Sequence, residues 1–196
     1  MRSAIAGGRP VLKIDEELNA VLPQLSARMR SALAAAAGRR VMDVLYDDDR
    51  SPVLAKEALA LVTRFACGEN VSSRAHEDVF RRIRQAQAQA AELQDVEFNY
   101  TLRVMVEAVA TLTRGWEAAR NVAHHLIDVA IYAGFNTSVA GSDQASADLA
   151  EAEEVAWLRA VLAEAQTLDD DAITPTLFVE LGAVPPTWLS RWELPS

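Results

Sequence analysis

The chain has 196 residues, half of them hydrophobic and about a quarter charged, with only 8 Gly and 7 Pro, the composition of one packed domain and not of a disordered chain. One cysteine, Cys67, excludes an internal disulfide and the zinc spacings built on cysteine pairs. The net charge of −9 argues against direct binding to nucleic-acid phosphates, and no apolar run approaches the roughly 18 residues of a membrane span.

Helical periodicity runs through almost the whole sequence, and no segment alternates with period two over a strand's length, which predicts an all-α domain. Residues 1–13 contain Arg2, Arg9 and Lys13 around the short apolar group 4–6, too little for a secretory signal, so a flexible start and a cytoplasmic location are expected. A short helix is predicted over 15–22, with Leu18, Val21 and Leu22 on one side. Pro23 leads to a second helix from Ser26 to about Tyr46, whose stripe is Met29, Leu33, Ala36, Ala37, Val41, Val44 and Leu45. The acidic turn 47–49 ends it.

Ser51 before Pro52 is a helix-start signal, because the serine oxygen accepts from free amides and proline's fixed φ suits the first helical turn. A third helix is therefore predicted over 52–66, with Gly68 at its C-terminal cap. Ser72 or Ser73 caps a fourth reaching about Leu93, polar over much of its surface through Arg81, Arg82, Arg84, Gln85, Gln87 and Gln89. The clearest pattern follows. Phe98, Leu102, Met105, Val109, Leu112, Trp116, Ala119, Ala123, Leu126, Ala130 and Ala133 step by four and three, which predicts one long central helix over about 96–134 with the other helices bundled around it. A further helix is predicted over 145–165. Residues 167–196 read as an irregular tail packed on the bundle, with a start signal at Thr174–Pro175, a short segment through Leu181 and a turn at Pro185–Pro186. No repeat or linker divides the chain, so 1–196 reads as a single helical domain.

On the central helix Asn121, His124, His125 and Asp128 share about 100° of arc opposite the apolar face, and Glu117 and Tyr132 extend the strip. A His with an Asp four residues later can share a divalent metal, but a structural zinc site takes four protein ligands and neither His-Glu-x-x-His nor paired Glu-x-x-His occurs. The strip reads first as the polar edge of a packed helix, with a helical metal-binding protein or enzyme using His124, His125 and Asp128 as the alternative. No phosphate loop or nucleophile elbow is present. Cys67 reads as packing, and the Asp triplets 47–49 and 169–171, lacking the spaced ligands of a calcium loop, read as solvated turns.

Charge is distributed unevenly. Residues 1–142 hold 17 basic and 17 acidic groups, whereas 143–196 hold 2 basic and 11 acidic, so the whole surplus of −9 lies in the last quarter. Such a surface speeds encounter with a basic protein. Asp143, Asp148, Glu151, Glu153, Glu154, Asp169, Asp170 and Asp171 are the candidate partner contacts, together with Trp188 and Trp192, four apart and able either to anchor a partner or to fold back on the core.

The run "AAAAGRRVMDVLYDDDRSPVLAKEALALVTRFACGENVSSRAHEDVFRRIRQAQAQA", the helix end "NVAHHLIDVAIYAG" and the tail "LFVELGAVPPTW" resemble the helical immunity proteins of bacterial polymorphic toxin systems, specifically the Imm-five-like group. The likeness spans residues 33–135. It rests on the acidic turn 47–49 with Arg50 and Pro52, the Gly68–Glu69 step with Val71 and Ser72, the Ala/Arg-rich helix that follows, and His124 or His125 before an alanine-containing helix end. It implies a non-enzymatic, cofactor-free cytoplasmic protein that neutralises a cognate toxin by covering its active surface. A basic toxin would suit the acidic segment, with no role for nucleic acid or membrane. A helical scaffold or homodimer subunit is the remaining reading.

Overall fold

The computed structural model describes residues 11–42, 52–94, 96–136, 144–181 and 186–188, which form eight α-helices and no strand. These are α1 (Val11–Val21), α2 (Ala27–Val41), α3 (Pro52–Ala66), α4 (Ser73–Glu92), α5 (Val96–Arg114), α6 (Trp116–Asn136), α7 (Gln144–Ala165) and α8 (Pro175–Leu181). Single 3₁₀ turns at Leu22–Gln24 and Asp170–Ala172 lie between α1 and α2 and between α7 and α8. None of the described helices is long and apolar enough to cross a membrane.

Several ends follow from local chemistry. Ser26 accepts from Met29 N at 3.0 Å, and Ser72 accepts from Ala75 N at 3.2 Å, each satisfying an amide that its helix leaves unpaired. At the end of α3, Gly68 N–H donates to Phe65 O and Glu69 N–H to Arg64 O, both at 2.9 Å, with Gly68 at φ +85°. Arg28 closes the same end by donating from Nε to Ala66 O at 2.9 Å.

Three predicted boundaries change. The second helix ends at Val41, with Val44, Leu45 and the acidic turn 47–49 outside the described residues. The first helix begins at Val11, inside the segment expected to be flexible, because Ile14 joins Leu18 and Leu22 as a buried stripe at spacings of four. The long central helix is two helices. Gly115, at φ +73°, reverses the chain in one residue, so α5 and α6 form an antiparallel hairpin. Asn121 Nδ2 then donates to Glu107 Oε2 at 3.2 Å, and the rings of Tyr100 and Tyr132 stand 5.7 Å apart. A non-glycine residue in this conformation costs roughly 1–2 kcal/mol. Although an added Cβ would meet only Glu117 Oε2 at 3.7 Å, Gly115→Ala is expected to lower stability by about that amount in urea unfolding.

The α5–α6 hairpin is the centre of the bundle. α2, α3 and α4 pack against α5, while α2 and α7 pack against α6. Met105, Val109, Leu126, Ala130 and Ala133 are buried in one continuous core with Ala34, Ala37 and Val41 of α2 and Leu158 and Leu162 of α7. Alanine dominates the facing surfaces of α2 and α6, which lets the helix backbones approach closely. An apolar pocket of about 20 Å³ remains under α1, bordered by Leu18, Leu33, Ala119 and Trp157, with room for about one water-sized group.

Candidate functional site

The polar strip of α6 is divided among its neighbours. His124 Nε2 stands 2.8 Å from Asp15 Oδ1 of α1, and one turn earlier Arg120 donates to Asn19 Oδ1 of the same helix at 3.2 Å. Asn121 is taken by Glu107 of α5, and Tyr132 lies against Tyr100. His125 Nδ1 is shielded from solvent 3.5 Å from Asp128 Oδ2, without hydrogen-bond geometry. Glu117 and Asp128 are exposed. His124 and His125 thus turn to different partners. Among the described residues, no three groups of the His, Cys, Asp and Glu types come together as a metal cage. The strip fastens α1 and α5 to α6.

The acidic candidates separate more sharply. Glu154, expected on an open acidic face, is 0% exposed, and Glu151 is 7% exposed, so neither is available to a partner. The cause is helix phase. Ala147, Ala150, Glu151, Glu154, Val155, Leu158, Val161 and Leu162 lie on the inward side of α7. Arg40 of α2, itself buried, donates through Nε to both carboxylate oxygens of Glu154, at 2.8 and 3.0 Å. Trp188, 1% exposed, donates its indole N–H to Glu154 Oε1 at 2.8 Å.

The same cluster extends outward. Glu153 Oε1 stands 3.6 Å from Arg40 Nη2 and accepts from Thr187 N at 2.8 Å, while Glu153 Oε2 accepts from the Thr187 hydroxyl at 2.5 Å. Arg40 lies 4.9 Å from the ring centre of Trp157, whose indole N–H donates to Leu181 O at 2.8 Å. Burial raises the Glu154 carboxyl above its ordinary range, against the opposing pull of Arg40 and of the Trp188 hydrogen bond. Two carboxylates predicted to contact a partner therefore hold the chain's own tail. Trp188 folds back onto the core instead of standing out as an anchor.

Four predicted acidic residues remain at the surface or near it. Asp148 is exposed near the start of α7 and accepts from Gln144 at 2.7 Å. Asp169 and Asp171 are exposed after α7, and Asp170 is half-buried where the Ser26 hydroxyl donates to it, beyond that oxygen's role as the cap of α2. Glu164, exposed in the last turn of α7, adds a carboxylate that the candidate set lacked. An open groove lies beside this corner, lined by Gln24, Leu25, Met29, Gln166, Leu168 and Asp169. Asp143 and Trp192 lie outside the described residues.

Arg40 is the residue that sequence reasoning missed. Its signal is present but faint: a charged residue three positions after the alanine run 34–37, at a register that turns it toward the core. Compared with known protein families, curated proteins and solved structures, the chain matches none of them.

Proposed function

We propose that the chain is an immunity protein that binds and neutralises a basic toxin protein through the acidic corner where α7 ends. The observation that carries the reading is electrostatic. Among the described residues, no Lys or Arg pairs with Glu164, Asp169, Asp170 or Asp171, whereas Glu17, on the neighbouring α1, is held by Arg159 at 2.8 Å. Uncompensated negative charge grouped on one corner attracts a cationic partner over a distance and speeds association. The adjoining groove, with Leu25, Met29 and Leu168 among its walls, offers apolar surface at the same place. The resemblance of residues 33–135 to helical immunity proteins supports the same reading, in which the protein acts by covering a surface and carries out no chemistry.

The corner replaces the wider acidic face expected from the sequence, with Asp148 about 24 Å from Glu164 along α7 at 1.5 Å per residue. Immunity proteins are encoded beside their toxins, so the product of the adjacent reading frame is the partner to test. Changing Glu164, Asp169 and Asp171 together to lysine is expected to slow association at low salt at least tenfold, with a smaller effect on dissociation. An unchanged rate with a genuine complex would move the interface elsewhere. No complex at all would end the immunity reading.

A further inference from the structure

A second charged cluster lies on α4 and the end of α5, and it has the opposite sign. Phe80 is partly buried against the core and stacks on His76, with ring centres 5.9 Å apart and planes 14° apart. Two guanidinium groups approach the same ring: Arg84 at 5.9 Å and Arg114 at 5.5 Å from its centre. Both arginines are exposed, and neither meets a carboxylate at ion-pair distance among the described residues. The contrast on the same helix is direct. Arg81 is held by Asp78 at 2.5 Å and Arg82 by Glu57 at 2.7 Å.

We propose that Arg84 and Arg114, set against Phe80, form a binding site for a phosphate group. Both like charges lie within 6 Å of the centre of one ring, with no carboxylate at ion-pair distance among the described residues to offset them. A doubly charged oxyanion offsets both. Charge count favours phosphate over a single carboxylate, since a phosphate monoester carries about −1.5 to −2 at neutral pH and offers three acceptor oxygens. Arginine's planar fork suits such an oxyanion, and among the described residues neither guanidinium has an ion-pair partner to leave. His76 Nε2 is already 3.3 Å from Val109 O, so it positions the ring and does not reach for the ligand. Glu77, exposed on the same helix, lies about 10 Å along the helix axis from Arg84, and Glu117, exposed at the start of α6, stands three residues after Arg114 without reaching ion-pair distance.

The shared chemistry is a phosphate, free or carried on a side chain, and calorimetry with two probes separates these sources. Inorganic pyrophosphate and a phosphoserine peptide are each titrated into the full chain at fixed ionic strength. Saturable binding of pyrophosphate at least as tight as that of the peptide assigns the site to free phosphates, and peptide binding more than tenfold tighter assigns it to a phosphorylated partner. R84Q/R114Q is expected to weaken the tighter probe at least tenfold while its circular dichroism and melting temperature stay unchanged, because both side chains are exposed. R74Q, another exposed arginine of α4, is expected to leave binding unchanged. Failure of both probes to bind overturns the proposal, and so does an equal loss in R74Q, which would reduce the effect to general positive charge.

Discussion

Replacing Arg40 with alanine is expected to destabilise the fold by about 3–5 kcal/mol, the range for stripping the partner from a buried charge. Glu154, with no exposed surface, would keep the Trp188 indole N–H but lose both hydrogen bonds from the guanidinium. Glu154→Ala is expected to cost a similar amount, since the buried cation loses the carboxylate that accepts both of its Nε hydrogen bonds and Glu153 stands farther off, at 3.6 Å. The pair together is a different case. Arg40→Met combined with Glu154→Leu removes both desolvated charges, so the double variant should be far more stable than the sum of the single losses predicts. A double-mutant cycle in guanidinium chloride measures this, and strict additivity would mean that the two side chains do not depend on each other.

The cost of Arg40→Ala also carries a pH signature. Burial raises the Glu154 carboxyl in the folded protein, so between its unfolded and folded values the native state binds more protons than the unfolded state. Stability from this group is fully present below the unfolded value and falls as pH rises through the folded one. Removing Arg40 removes an influence that lowers the folded value, which widens the window upward. The penalty of Arg40→Ala should therefore be smallest in acid, where Glu154 is protonated, and grow toward neutrality. A penalty independent of pH would show that Glu154 stays neutral, or stays charged, in both proteins throughout.

Gly134→Ala is the second large effect. Alanine is the better helix former by about 1 kcal/mol on an open helix, yet here a Cβ would stand 2.5 Å from Ala147 Cα, 2.7 Å from Ser146 O and 2.8 Å from Ala147 N. All three are backbone atoms of α7, which cannot yield as a side chain does, so the whole helix has to move away from α6. A loss of about 3 kcal/mol is expected, at the upper end of ordinary overpacking. Gly38→Ala is the control. Its nearest neighbour is the end of the Leu59 side chain at 2.6 Å, which can rotate, and a much smaller loss is expected. Equal losses at the two glycines would contradict the distinction between backbone and side-chain neighbours.

The legible part of the fold was that set by local chemistry. Ser26, Pro52, Gly68, Ser72 and the Thr174–Pro175 step mark ends that the structure reproduces within a residue or two, because caps and proline act through the nearest few amides. The hairpin at Gly115 was hidden by an accident of phase. Leu112 and Trp116 are four apart on either side of the reversal, and both pack against the core, so the four-and-three stepping continues although the chain turns back. The signal against one helix was there: Arg114 in a last turn, then a glycine able to take positive φ.

For the candidate site, charge counting located the acidic quarter but could not say which carboxylates face water. Glu151 and Glu154 point inward because α7 is covered by α2 and α6, and that covering depends on residues far away in sequence. Likewise Trp188 and Arg40 meet through Glu154, a meeting that no spacing within either segment announces.

That meeting bears on how the protein is made. Arg40 and Glu154 lie 114 residues apart, Glu17 and Arg159 142 apart, and Ser26 and Asp170 144 apart. The Arg40–Glu154 pair thus cannot close until α7 has been synthesised, and the bond from Trp188 to Glu154 waits for the tail. The α5–α6 hairpin can form early from neighbouring residues, but the two ends of the bundle close on each other only when nearly all of the described chain has left the ribosome. Completion of the fold is in this sense a late event that reports on whether the tail has arrived.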